Sequence, residues 1–220
     1  MINKSTAIFP LAILLFLTGC GHDGVWQNAR SVLLQQMAEK PTEVSQSREE
    51  INNIPYATIS AQLEDLPPAV MVLGYVDNGR LQWISSDNMS VTTKAGRIVH
   101  TVGFEKDISY IEVIGKDFLD DELYNLKSSK TYQIIVESKT PSLASELLDC
   151  NVNYKSDEEI VILEYSYNTH LLEENCISTQ GWKVKNLYWV DQNSRFVWRS
   201  QQGIVNGRYD IKINVLRPFG

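Results

Sequence analysis

The sequence predicts an all-β fold with a short N-terminal helix, built as a strongly curved antiparallel sheet, barrel- or half-barrel-like. Three observations predict it. Past Tyr56, runs of apolar, aromatic and β-branched residues alternate with short polar turns. Two of those turns, Asp77-Asn78-Gly79 and Lys94-Ala95-Gly96, place a residue tolerant of positive φ where a tight hairpin needs one. At least nine such runs follow one another with short connections, a pattern that favours a sheet curling on itself.

The N-terminus comes first in the chain. Met1 to Lys4 carries one positive charge, and Ala7 to Leu17 is an apolar run broken by Pro10. That run is too short to span a hydrocarbon core, which takes about 20 residues, and has the length of a secretory signal's apolar region. It closes with Leu17-Thr18-Gly19-Cys20, which resembles the bacterial lipobox. Small residues before the cysteine let the chain enter a protease cleft, and the thiol accepts diacylglycerol. The expectation is a signal peptide over residues 1–19, lipidation at Cys20 and a tether over residues 20–24. At about 0.8 kcal/mol per buried methylene, two or three acyl chains give lasting attachment. Gly21, where inner-membrane retention uses aspartate, implies sorting to the outer membrane, facing the periplasm.

Residues 25–220 are expected to form a single β-rich domain with its N-terminal helix. Val25 to Lys40 has helical spacing, with Trp26, Ala29, Val32, Leu33, Gln36 and Met37 on one broad stripe, and Pro41 stops it. A further helical turn is expected around Ser47 to Asn52. Strands are expected over Val70–Val76, Leu81–Ser85, Ser90–Thr93 and Arg97–Val102, and again over Thr131–Ser138, Glu159–Asn168, Trp182–Val190, Arg195–Gln202 and Tyr209–Leu216. Between Gly103 and Lys130 the pattern is mixed, with a short helix expected across Asp117–Leu126.

Composition narrows function. Loss of residues 1–19 removes only Lys4 among ionisable side chains, so a formal net charge of −7 becomes −8 in a chain of 201 residues (220 less 19). That balance argues against nucleic acid and against a polybasic grip on anionic lipid. With Cys20 acylated, Cys150 and Cys176 remain as a pair for a disulfide in an oxidising compartment. Such a bridge closes a loop of roughly 27 residues, worth roughly 3–4 kcal/mol. No histidine lies at ligand spacing from either cysteine, so no metal is expected. None of His22, His100 and His170 has a partner at a recognisable spacing in the sequence, and no catalytic motif is present. The acidic clusters Asp120-Asp121-Glu122, Asp157-Glu158-Glu159 and Glu173-Glu174 are expected to be solvated surface. The expectation is a non-enzymatic protein without cofactor. Trp83, Trp182, Trp189 and Trp198 fall in expected strands, as core bulk or as the lining of a ligand cavity.

Several segments together resemble one family. Ile54-Pro55-Tyr56-Ala57, Trp83 with Ser86-Asp87, Thr93 through Gly96-Arg97 to Thr101-Val102-Gly103, Val197-Trp198-Arg199-Ser200-Gln201 and the Arg217-Pro218 tail look like the YjbF/GfcB lipoproteins of group 4 capsule and exopolysaccharide operons. The resemblance implies a strongly bent antiparallel sheet and an accessory role in making or exporting a surface polysaccharide. It also implies an outer-membrane barrel or a periplasmic protein as partner. It carries over no catalytic residues. Trp83, Asp87, Arg97 and Trp198 lie on the matching segments and are expected to support the fold or a binding surface, with Asp87 and Arg97 expected to pair across one hairpin. The alternative function is a carrier whose concave sheet holds an acyl chain or a glycan.

Overall fold

A computed structural model describes residues 43–64, 66–139, 145–204 and 209–220, all within the unit that runs from Lys40 to Gly220. The lipobox and the expected helix over Val25–Lys40 lie outside the described residues. Helix α1 (Arg48–Asn53) begins with a capping box: Ser47 accepts from the Glu50 amide, and the Glu50 carboxylate accepts from the Ser47 amide. No helix among the described residues is long and apolar enough to cross a membrane.

The rest is antiparallel sheet. Strands β1 (Thr58–Leu63), β2 (Ala69–Asp77), β3 (Arg80–Ile84), β4 (Ser90–Lys94) and β5 (Arg97–Val102) form one meander. A second comprises β6 (Ile108–Val113), β7 (Lys130–Ser138), β8 (Ser145–Ile162), β9 (Tyr165–Ser178), β10 (Lys183–Asp191), β11 (Val197–Ile204) and β12 (Tyr209–Arg217). β1 pairs with β12, joining the meanders into one sheet ordered β5-β4-β3-β2-β1-β12-β11-β10-β9-β8-β7-β6. The Asn78-Gly79 and Ala95-Gly96 turns make the expected hairpins, all four residues at positive φ.

Three expectations are corrected. Glu159–Asn168 is not one strand: the chain reverses at Leu163-Glu164, at φ 44° and 75°, and pairs Ile162 with Tyr165. Neither residue is a usual turn former, so composition hid the reversal. Asp117–Leu126 forms successive turns rather than a helix. Bonds from the Asp120 amide to Asp117 and from the Tyr124 amide to Asp121 each reach back only three residues. The strand expected from Arg195 starts at Val197, because Asp191 caps a turn through Asn193 and Ser194.

The sheet curls until it nearly closes into a barrel, and side chains seal the seam in place of a ladder. β5 and β6 are the two edges. At one end the Ile108 amide donates to Thr101 Oγ1. At the other, β5 turns inward onto β11: the Ile98 amide donates to Gln202 Oε1, and Gln202 Nε2 donates to the Gly96 carbonyl. That approach requires glycine, since a Cβ at Gly96 would stand 2.5 Å from the Val197 side chain. Both edge strands thereby avoid presenting a bare row of backbone donors and acceptors.

A second core lies on the outer side. The distal half of the β8–β9 hairpin packs with α1 on β12, enclosing Ile51, Ile160, Ile162 and Leu216. Arg48 fastens it, donating to the carbonyls of Ile162, Leu163 and Leu216.

Candidate functional site

Two unlike regions stand out in the interior, beside the apolar packing around Cys150 and Cys176. The first is a buried ionic network. Strand alternation turns Leu172, Glu174 and Cys176 of β9 inward together, and Glu174 has no exposed surface. Arg97, 2% exposed at the start of β5, donates from both terminal nitrogens to the Glu174 carboxylate, at 3.0 and 2.8 Å. Its Nε donates to Asp117 at 2.7 Å. Tyr132, Tyr188 and Asn186 also donate to Glu174. Burial works against the Arg97 charge, but Asp117 and Glu174 outweigh it and hold the guanidinium well above its usual range. Burial likewise pushes the Asp117 carboxyl up, and the Arg97 charge and hydrogen bonds more than reverse that. The Tyr132 and Tyr188 phenols are driven far up, first by burial and then by the neighbouring Glu174 carboxylate. This network is a clasp. It joins edge strand β5 to β9 and β10 and pins the segment between β6 and β7, whose Phe118, Leu119 and Leu126 pack on Tyr188, Val190 and Val197.

The second region is a cavity of about 400 Å³ between β1, β3, β4, β11, β12 and that pinned segment. Ile59, Leu81, Trp83, Ile213, Val215 and Trp198 form its apolar wall, and Asp120, Glu122, Ser194 and Arg195 also line it. Protein atoms already engage most of its polar groups. Trp83 Nε1 donates to Thr93 Oγ1, and Trp198 Nε1 to Asp191. Arg195 donates to the carbonyls of Phe118, Asp121 and Tyr124, fixing the pinned segment from this side as well. The Trp198 ring stacks on Tyr167, with centroids 3.9 Å apart.

Of the four residues singled out in the sequence, Trp83 and Trp198 meet in the cavity wall. Arg97 lies in the adjoining network, and Asp87 stands apart. The expected Asp87–Arg97 pair is not formed: Asp87 accepts from Ser85 within the exposed β3–β4 turn, which holds its carboxyl below the usual range. The partners of Arg97 come instead from distant strands. Glu174 corrects the reading of Glu173-Glu174 as solvated surface; only Glu173 fits it, held down at about 2 by its bond from Lys185. The alternation Leu172-Glu174-Cys176 was the available signal. Asp117 and Arg195 carried none. Cys150 and Cys176 face each other across β8 and β9, their Cα atoms 4.0 Å apart and their sulfurs at bonding distance.

These features define a class: a nearly closed antiparallel barrel, clasped by buried charge, with an aromatic-walled cavity. The chain belongs to the family described as group 4 capsule polysaccharide lipoprotein gfcB, YjbF, whose model matches residues 26–216. It is 24% identical to the uncharacterized lipoprotein GfcB of Escherichia coli K12 over 205 residues, covering 93% of this chain and 94% of that one. It is 23% identical to the uncharacterized lipoprotein YjbF of the same organism over 177 residues, covering 77% and 79%. The crystal structure of the hypothetical lipoprotein YmcC of E. coli K12 shares the fold, with a TM-score of 0.68 at 22% identity over 88% of this chain and 95% of that one.

Proposed function

We propose that this protein is a non-enzymatic accessory lipoprotein of capsule or exopolysaccharide production or export. In this reading the mature chain begins at Cys20 and residues 20–24 tether one domain, residues 25–220, to the periplasmic face of the outer membrane. The domain works by binding an outer-membrane barrel or a periplasmic partner. Cys150 and Cys176 form a disulfide in that compartment. Family membership over residues 26–216 is the observation that carries the reading. The buried network supports it, because the charged groups inside the barrel are held by one another and serve closure.

The test is capture from membranes. Wild-type protein should carry acyl chains on Cys20 by peptide mass and should co-purify with envelope proteins. Cys20→Ala should lose the acylation and most of the co-purification. A deletion strain with unchanged surface polysaccharide would refute the role.

One observation favours a second reading, a carrier of an acyl chain or a glycan: the cavity with Trp83 and Trp198 in its wall. Native mass spectrometry of protein taken from the envelope should then show a bound adduct.

A further inference from the structure

We infer that the cavity is a binding site for a single aliphatic chain bearing an uncharged head. This deepens the carrier reading and rests on it. A glycan needs hydrogen-bond partners for its hydroxyls, or pays their desolvation. The cavity offers few. The indole N–H of Trp83 is taken by Thr93, that of Trp198 by Asp191, and Arg195 is occupied by three carbonyls. Ser200 Oγ accepts from Gln202 Nε2. What remains facing the space is mainly Ile59, Leu81, Ile213, Val215 and the aromatic rings, a surface on which methylenes leave water without losing a partner. The volume lies in the range of small-ligand sites, roughly 300–1,000 Å³.

The rim selects the head. Asp120 and Glu122 line the cavity from exposed positions on the pinned segment. Lys94 pairs with Asp120 at 3.8 Å, and the Arg195 charge, which its carbonyl partners do not cancel, offsets that of Glu122, so the rim offers a carboxylate or phosphate no net counter-charge. Two exposed apolar side chains are found near this rim. Leu123, next to Glu122, is 92% exposed, and Phe219, a lining residue, is 55% exposed. Such a chain has two sources: a free or carrier lipid of the envelope, or the acyl group on this protein's own Cys20.

The test uses the mature chain with Cys20→Ala and 12-bromododecan-1-ol, whose bromine quenches tryptophan on contact. Saturable quenching is expected, with affinity rising roughly fourfold per methylene across shorter bromoalkanols. Val215→Phe and Leu81→Phe, each inserting bulk into the space, should weaken binding tenfold or more while near-UV dichroism stays that of the folded protein. Two results would overturn the inference: no saturable quenching, or quenching that neither folded variant changes. Maltohexaose serves as the glycan arm. Its binding without bromoalkanol binding would refute the aliphatic ligand and leave the carrier reading standing; binding of neither would end both. If the alkanol binds Cys20→Ala but not the acylated wild type in nanodiscs, the site is an aliphatic one occupied by the protein's own lipid. Equal binding to both assigns it to an external lipid.

Discussion

The two regions of the barrel interior solve opposite problems with neighbouring strands. Around Glu174, one almost wholly buried arginine and one fully buried glutamate are bonded so completely that they fasten an edge strand and a long inter-strand segment to the wall. Around Trp83, the wall is apolar and leaves space. The contrast teaches that closure and capacity are separated here. Geometry at the seam is fixed by directional, charge-assisted bonds, so the other half need not be packed solid to hold the barrel together.

The comparison breaks most visibly at Arg97. Arg97→Met leaves Glu174 buried and uncompensated, at an expected cost of ~3–5 kcal/mol. Adding Glu174→Gln to Arg97→Met should recover part of the loss, since the fully buried carboxylate is then gone and only the less buried Asp117 lacks its arginine. Val215→Phe, on the cavity side, should shift the unfolding midpoint far less, because space is there to receive the ring. Urea unfolding of the four proteins checks this, and equal losses in Arg97→Met and Val215→Phe would erase the distinction between the regions.

Next in size is the cysteine pair, whose Cys176 shares the inward face with Glu174. If the bridge is formed, replacing Cys150 and Cys176 together by serine should cost ~2–4 kcal/mol. Protein from the periplasm should show no free thiol when titrated in denaturant.

Acid sensitivity should also belong to the network. The folded state holds Asp117 below its ordinary value of 3.8. On acidification the unfolded chain therefore takes up that proton first. The stabilisation is present at neutral pH and is lost as pH falls below the ordinary carboxylate range. Asp117→Asn should flatten the acid limb of the stability–pH curve there, while a cavity substitution such as Leu81→Phe leaves the limb's shape unchanged.

Much of this was legible in the chain. The hairpins at Asn78-Gly79 and Ala95-Gly96 announced themselves because positive φ favours few residues. The curl followed from strand number. Trp83, Arg97 and Trp198 were found through the family resemblance. What stayed hidden was non-local. Asp117 meets Arg97 only because the inter-strand segment folds into the barrel, and Arg195 binds carbonyls, which every residue carries. The Leu163-Glu164 reversal was masked by residues that rarely adopt its backbone angles. Glu174 hides for another reason: its neighbour Glu173 lies near the surface, so the pair reads as one acidic patch although strand geometry sends the two to opposite faces.

The smallest expected effect sharpens the cavity side. Trp83 is buried, and its indole donates to Thr93 Oγ1 at 2.9 Å. Trp83→Phe removes that donor and part of the ring, for about 1–2 kcal/mol. Thr93→Val removes the acceptor while keeping the shape. If the bond only satisfies its own two atoms, the double variant should be more stable than the sum of the single losses implies, with a coupling of about 0.5–1.5 kcal/mol. The freed space would join the cavity, so bromoalkanols longer than dodecyl should gain affinity in Trp83→Phe relative to wild type. No such gain is expected in Tyr188→Phe, because the Tyr188 phenol contacts Glu174 and Arg97 rather than the cavity. A longer-chain preference appearing in Tyr188→Phe instead would mean that ligand space extends into the clasp, and the division between the two regions would have to be redrawn.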